Sequence, residues 1–364
     1  MLNILWLSPN FNHYKARFLN HLSSDSDIQL TVLSGSGRER YGDKELDQEW
    51  GFTLMKVDVP KKQFGRSIKV KHEIDVICDQ FDWIMLPAEK KNLSLFHFIL
   101  TKRKKTSTFK IFSYNHEALK SGNKFLSITD KMLTKYYYHK LDRVVFYSES
   151  ACQNAIRKGL IKSEKAFWAN NTIDSSEVDK YYSFQMPPEG HPIILFIGRL
   201  ISSKRVTDLF TYYKELKKQH SNLKLEIIGD GPERNIVEDS VVKDRDILWH
   251  GTLVEEDKIA PIMQRCSMVF VPGLSGLSIN HAFAYGRPYL TMKAEKHGPE
   301  LDYLIHGKNG YILEGILDKD IQIINELIFD RVKLEQFCIN AKQKGEELSV
   351  ENWVKQVKSS LLHE

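Results

Sequence analysis

Short apolar runs rich in β-branched and aromatic residues alternate with amphipathic stretches from one end of this chain to the other, and that alternation restricts the fold more than any other feature. Strands that read as near-continuous hydrophobic runs are buried on both faces, which calls for parallel sheets covered by helices. The strand candidates of the first half are residues 3–8, 29–34, 52–59, 83–86, 110–114, 143–148 and 166–169. Those of the second half are residues 193–197, 223–228, 247–250, 268–271, 289–291 and 311–313. Val206, Leu209, Phe210, Tyr213 and Leu216 recur at helical spacing, so their segment lays one stripe on a sheet and turns Lys214, Lys217 and Lys218 outward. A last amphipathic stretch carries Trp353, Val354, Val357 and Leu361 on one side.

A chain of 364 residues is too long for one ordinary core and fits two α/β domains. We expect an N-terminal domain over 1–173, a C-terminal domain over 174–348, and a helix over 349–364 that packs near the first domain. Residues 183–192, with three prolines and a glycine and no period, are the best candidate linker. No stretch approaches the roughly 20 apolar residues of a membrane span. The first residues lack a basic leader and a cleavage site, and read as a strand. Cys78, Cys152, Cys266 and Cys338 form no metal or disulfide pattern. A cytoplasmic location is therefore expected, with the inner face of the plasma membrane as a place of contact.

Charge is uneven. Residues 1–173 hold 28 Lys and Arg against 18 Asp and Glu, a net +10, and the remainder holds 24 against 29, a net −5. A basic half attracts phosphates or an anionic lipid surface over a screening length of about 8 to 10 Å. The run Lys102-Arg103-Lys104-Lys105 fits that reading and also fits a solvated helix end. Nucleic acid is not expected as a partner, since no nucleic-acid fold signature accompanies the charge.

In open parallel sheets ligands bind beyond the carboxyl ends of the strands, so the loops after strands carry the chemistry. The first such loop of the second half is Gly198-Arg199-Leu200-Ile201-Ser202-Ser203-Lys204, where glycine allows close approach and Arg199 and Lys204 can converge on a diphosphate. The second contains Gly229, Gly231, Pro232 and Glu233, and the third His250 and Gly251; both are tight turns that leave room for a base or ribose. The fourth, Gly273-Leu274-Ser275-Gly276-Leu277-Ser278, leads into a helix and can present unpaired N–H groups to a phosphate.

Together, "FIGRLISSK", "LKLEIIGDGPE", "HGTL", "VPGLSGLSINHAFAYGRPYLT" and "HGPELDYLIHGKNGYIL" resemble the donor domain of the family 4 glycosyltransferases of GT-B fold, over residues about 193–315. "NNTID" at 170–174 is similar to that family's start of the second domain. The resemblance implies two Rossmann-like parallel-sheet domains facing a cleft, with a C-terminal helix crossing back to the first. It implies a retaining, hexosyltransferase-type enzyme with a nucleotide diphosphate sugar as co-substrate and no cofactor. Arg199 and Lys204 would bind the diphosphate, and residues 273–278 the sugar and phosphates. The family's pair of glutamates falls on Gly273 and His281, so the carboxylate expected against the sugar is missing. Glu300 can replace it, or can serve as a helix N-cap or first-turn residue.

The first half should supply the acceptor side. Asn10, Asn12, His13 and Tyr14 follow the first strand and lack the GxGxxG of a dinucleotide fold. His116, beyond strand 110–114, is the candidate polar group against the donor sugar, the alternative being a surface or packing histidine. The helix around Tyr136, Tyr137 and Tyr138 can pack its aromatics on the sheet or lie on a membrane. Asp25-Ser26-Asp27 is formally a DxD, yet it sits at the amino end of a strand and reads as solvated turn residues; no metal is expected. The acceptor implied by the resemblance is a glycan, on a lipid carrier or in a surface polysaccharide such as capsule or lipopolysaccharide. A degenerate scaffold protein and a sugar-nucleotide epimerase are the rival readings.

Overall fold

The computed structural model describes residues 1–36, 49–106, 109–119, 127–294 and 297–362. The chain divides into two compact units, residues 1–171 with 350–364 and residues 172–349. Residues 183–192 lie inside the second unit, where Arg331 donates to the Pro187 carbonyl at 2.7 Å and Phe184 packs against Gly286. Their lack of period reflects a coil packed onto the domain, and the chain passes between units at 171–172 instead.

In the first unit, seven strands form one parallel sheet: β1 (Leu2–Ser8), β2 (Ile28–Ser36), β3 (Thr53–Pro60), β4 (Trp83–Met85), β5 (Lys110–Asn115), β6 (Arg143–Phe146) and β7 (Ala166–Trp168), in the order β3-β2-β1-β4-β5-β6-β7. Helices α1 (His13–Ser23), α2 (Ile68–Ile77), α3 (Leu93–Thr106), α4 (Ile128–Lys140) and α5 (Glu149–Arg157) connect them. Alternate strand residues feed two layers of core. Val70, Ile74, Leu95, Phe96, Ile99, Tyr137 and Tyr138 from α2, α3 and α4 fill one side, and α1 fills the other. Tyr137 and Tyr138 are fully buried, with burial pushing both phenols up, while Tyr136 stays 38% exposed.

The second unit repeats the plan. Its sheet runs β10-β9-β8-β11-β12-β13, all parallel, from β8 (Ile193–Ile197), β9 (Lys224–Ile228), β10 (Ile247–Trp249), β11 (Met268–Phe270), β12 (Tyr289–Met292) and β13 (Gly310–Leu313). It is covered by α6 (Ser175–Tyr181), α7 (Val206–Gln219), α8 (Arg234–Lys243), α9 (Glu256–Arg265), α10 (Ser278–Ala284), α11 (Leu317–Phe329) and α12 (Arg331–Glu347). Of the three lysines expected outward on α7, Lys217 turns back to bond Asp246 at 2.7 Å.

The last helix, α13 (Val350–Leu362), belongs to the first unit. Its Trp353 is 1% exposed, with ring centroids 4.7 Å from Phe18 and 6.3 Å from Trp6. Asp25 and Asp27 are not merely solvated: Lys358 of α13 lies 2.9 Å from Asp25 and 2.6 Å from Asp27. Its ammonium lowers the Asp25 pKa, so the formal DxD is a clasp for α13. Among the described residues no helix is long and apolar enough to cross a membrane.

Candidate functional site

The four glycine-bearing loops of the second unit meet above the carboxyl edge of its sheet because their backbones touch. Gly198, at φ 154°, donates its N–H to the Ile228 carbonyl. A Cβ on Gly229 would lie 1.9 Å from the Gly198 carbonyl oxygen, and Gly229 itself donates to Gly251 at 2.7 Å. Leu200 donates to Asp230 at 3.0 Å, and a Cβ on Gly231 would meet the Leu200 oxygen at 2.3 Å. Pro232 is exposed just beyond. Backbone can come this close only where side chains are absent.

The fourth loop is locked to the first in the same way. Gly273 and Leu274 donate to the carbonyls of Lys204 and Ser203 at 3.1 and 2.7 Å. A Cβ at Gly273 would sit 2.1 Å from the Ser203 oxygen. The glycine standing where a glutamate was expected is therefore a crossing of two chains with no room for a side chain. The following amides, Gly276, Leu277 and Ser278, carry no hydrogen bond among the described residues. The Ser278 hydroxyl pairs with the Tyr289 hydroxyl at 2.8 Å.

Two cations flank these amides. Arg199 is exposed, and its guanidinium makes no hydrogen bond or ion pair among the described residues. Lys204 is part-buried, donates to the Leu274 carbonyl, and has its pKa pushed down to about 8. Burial is the main cause and the Arg199 charge adds to it, while the Glu300 carboxylate opposes both. A charged group held where water is scarce and a like charge is near is poised for an anion.

Glu300 stands in the first turn of a short 3-10 helix (Pro299–Tyr303) and is only 5% exposed. A Cβ on Gly298 would meet its Oε2 at 2.2 Å and the Ser275 oxygen at 3.0 Å, so the carboxylate lies over the fourth loop. It holds the first-turn position weighed for it. Sequence reasoning missed His297 beside it. Its Nε2 faces the Met292 carbonyl at 3.1 Å and must donate, leaving Nδ1 to accept from the Ser275 N–H at 3.2 Å and hydroxyl at 2.8 Å. Burial, reinforced by the Lys204 charge and opposed by the bond to Met292, lowers its pKa and keeps the ring neutral. The only signal in the sequence was a histidine preceding a Gly-Pro turn.

Two other histidines turn aside. His250 pairs its Nε2 with Glu226 at 2.7 Å, a residue of β9 that is 1% exposed and also gripped by Arg265 at 2.6 and 2.8 Å. Burial pushes the Glu226 carboxyl up, but the bonds from His250 and Arg265 outweigh it and the pKa falls. His281 on α10 faces Glu256 of α9 at 3.1 Å, and Glu256 also accepts from Tyr285 at 2.8 Å.

The remaining candidates belong to the first unit. Asn10 and Asn12 are 4% and 1% exposed; Asn12 caps α1, accepting from the Lys15 N–H at 3.3 Å. His13 and Tyr14 are partly buried with their rings edge to face at 5.6 Å. His116, exposed at the carboxyl end of β5, rests edge-on against Tyr147 at 4.9 Å. Among the described residues, no group of His, Cys, Asp and Glu converges as a metal site.

Residues 191–328 match the family model described as Glycosyl transferases group 1. That span lies within the second unit. No curated protein matches the chain by sequence. Among solved structures, the chain is similar to Anabaena Alr3699/HepE in complex with UDP, at 15% identity and a TM-score of 0.70 over 99% of both chains. It is also similar to sucrose-phosphate synthase from Thermosynechococcus elongatus, at 14% identity and a TM-score of 0.71 over 99% of this chain and 98% of that one. A third is the pneumococcal O-GlcNAc transferase GtfA in complex with UDP and GlcNAc, at 10% identity and a TM-score of 0.71 over all of both chains. At such identities the likeness is one of fold, and the fold is GT-B. The matched span contains all four glycine-bearing loops of the second unit.

Proposed function

We propose that the second unit grips a nucleotide diphosphate sugar, UDP-linked in the first instance, and that the protein transfers the sugar to a glycan acceptor. The observation that carries this reading is Lys204: an ammonium sunk near Arg199 and bonded to the loop whose amides at 276–278 have no partner among the described residues, with its pKa lowered to about 8. As the bond between the sugar and the diphosphate breaks, negative charge gathers on the departing phosphate oxygens. Arg199, Lys204 and the amides of Gly276, Leu277 and Ser278 stabilise that charge, so no metal cation is needed. Glu300 supplies the carboxylate that Gly273 cannot, and His297 holds the Ser275 backbone in place for it.

Transfer with retention of configuration, a hexosyl donor and an acceptor on a lipid carrier complete the reading. His116 is its candidate group against the sugar. Structural neighbours solved in complex with UDP support the choice of UDP as the first nucleotide to test.

Isothermal titration with UDP-, GDP- and dTDP-sugars identifies the donor, and a protein that binds none of them is a scaffold. Arg199→Ala and Lys204→Ala should each cut transfer at least about a hundredfold while leaving the fold intact. Near-normal rates in both would remove the diphosphate assignment.

A further inference from the structure

Helices α2, α3 and α4 cover one face of the first sheet side by side. Lys71 of α2 bonds Ser94 of α3 at 2.8 Å, and Phe96 of α3 stacks on Tyr137 of α4 at 4.0 Å. Their inward residues are core, as described above. On the outward side, α4 exposes Ile128, Met132 and Tyr136 by 78%, 67% and 38%. Residues four apart lie on one stripe of a helix, so these three form a continuous apolar line. On α2, Ile68 and Val76 are 83% and 63% exposed. Single exposed apolar residues are ordinary, but a line of three along one helix marks an interaction surface.

The charges around the row select the partner. Lys131 and Lys135 flank it on α4, and Lys104 and Lys105 end α3; all four are exposed with no hydrogen bond or ion pair from their side chains among the described residues. Before α2, a hollow of about 570 Å³ is lined by Lys62, Arg66 and Lys69, with Ile68 at its side and the Ser67-capped helix start within it. The hollow also has Asp58 in its lining, which accepts from the Ser36 hydroxyl at 2.9 Å, so three cations face one carboxylate there; on the helices Asp75 is held by Lys102 and Asp130 by Lys90, while Glu73 is partly buried and Asp79 exposed. Lysine is depleted at protein–protein interfaces, whereas aliphatic side chains ringed by lysines suit the boundary between lipid headgroups and acyl chains. The stems of the lysines lie along that boundary while their ammonium groups reach phosphate.

We propose that the outer face of α2, α3 and α4 seats the protein on an anionic phospholipid surface. Ile68, Ile128 and Met132 enter the headgroup layer, and Lys62, Arg66 and Lys69 take a lipid phosphate in the hollow. This deepens the lipid-linked acceptor reading above, but its test reads vesicle binding and not sugar transfer, so the two fail separately.

The test is sedimentation of the full chain with phosphatidylserine-rich vesicles and with phosphatidylcholine vesicles. Binding is expected to the first and not the second, and to weaken with salt. The pairs Ile128→Ser with Met132→Ser, and Lys131→Glu with Lys135→Glu, should each lower partitioning at least about tenfold. Melting curves and UDP titrations should stay as in the parent protein. Val242→Ser, equally exposed on α8 of the second unit, should change nothing. Absence of binding to the anionic vesicles, or binding that survives both pairs of substitutions, overturns the proposal. So does a change in self-association by light scattering without any vesicle binding, since the row would then be a protein contact.

Discussion

The two sheets share a strand order through their first six positions, yet the loops that leave their central first strands use polar residues in opposite ways. After β1, Ser8 donates to the Asn10 carbonyl at 2.7 Å and the Asn12 side-chain oxygen caps α1, so these oxygens are buried and spent on the helix start, while Asn12 Nδ2 has no partner among the described residues. After β8, α7 begins without a side-chain cap, on Arg205 at φ 57°, and Arg199 is left exposed. One topology thus carries a loop whose side chain caps its own helix and a loop that leaves its helix uncapped and an arginine exposed.

The sharpest way to break that contrast is to put a side chain where the second unit's loops cross. Gly229→Ala combines φ 136° with a contact of 1.9 Å to backbone, and Gly273→Ala meets the Ser203 oxygen at 2.1 Å. Each is expected to cost about 3 kcal/mol or more in stability and to abolish UDP binding, read by thermal melting and titration. A smaller effect follows from His297→Leu. It leaves the Ser275 N–H and hydroxyl unpaired, a penalty of about 1 to 3 kcal/mol that should appear as weaker UDP binding of roughly tenfold or more.

Acidity sharpens the same comparison. The Lys204 pKa is depressed to about 8 in the free protein, so its proton is lost as pH rises through that value. A bound diphosphate favours the ammonium, so UDP affinity should fall by up to about tenfold per pH unit above 8, with proton uptake on binding. Between about 8 and the ordinary lysine value the unfolded chain binds more protons than the folded one. Stability of the nucleotide-free protein should therefore rise with pH across that window. Lys204→Met should flatten both profiles. The smallest effect belongs to the first unit: Asn12→Ala should cost about 1 kcal/mol through loss of the cap and leave UDP affinity unchanged.

Much of the site could be read along the chain because its chemistry is local. Gly198, Arg199 and Lys204 fall within one loop after one strand, and the period of the apolar runs marked each strand to within a few residues. His250 and His281 were read as ligand-facing on position alone, whereas each ring is spent on a carboxylate from another element. The buried Glu226 in β9 was the available signal for the first, since a carboxylate inside an apolar strand demands a cationic or donor partner. Residues 183–192 misled as a linker because irregular composition marks coil and does not distinguish packed coil from free coil.

The sequence by itself determined two parallel sheets and the loops that carry basic and glycine residues, because hydrophobic period and turn chemistry act over a few residues. Only the tertiary structure decided that Gly273 is barred from carrying a side chain, that His297 holds Ser275, and that Lys358 clasps Asp25. Those contacts join residues 22 to 333 positions apart or set one backbone against another. Such pairings arise when whole elements dock, and no local preference encodes them.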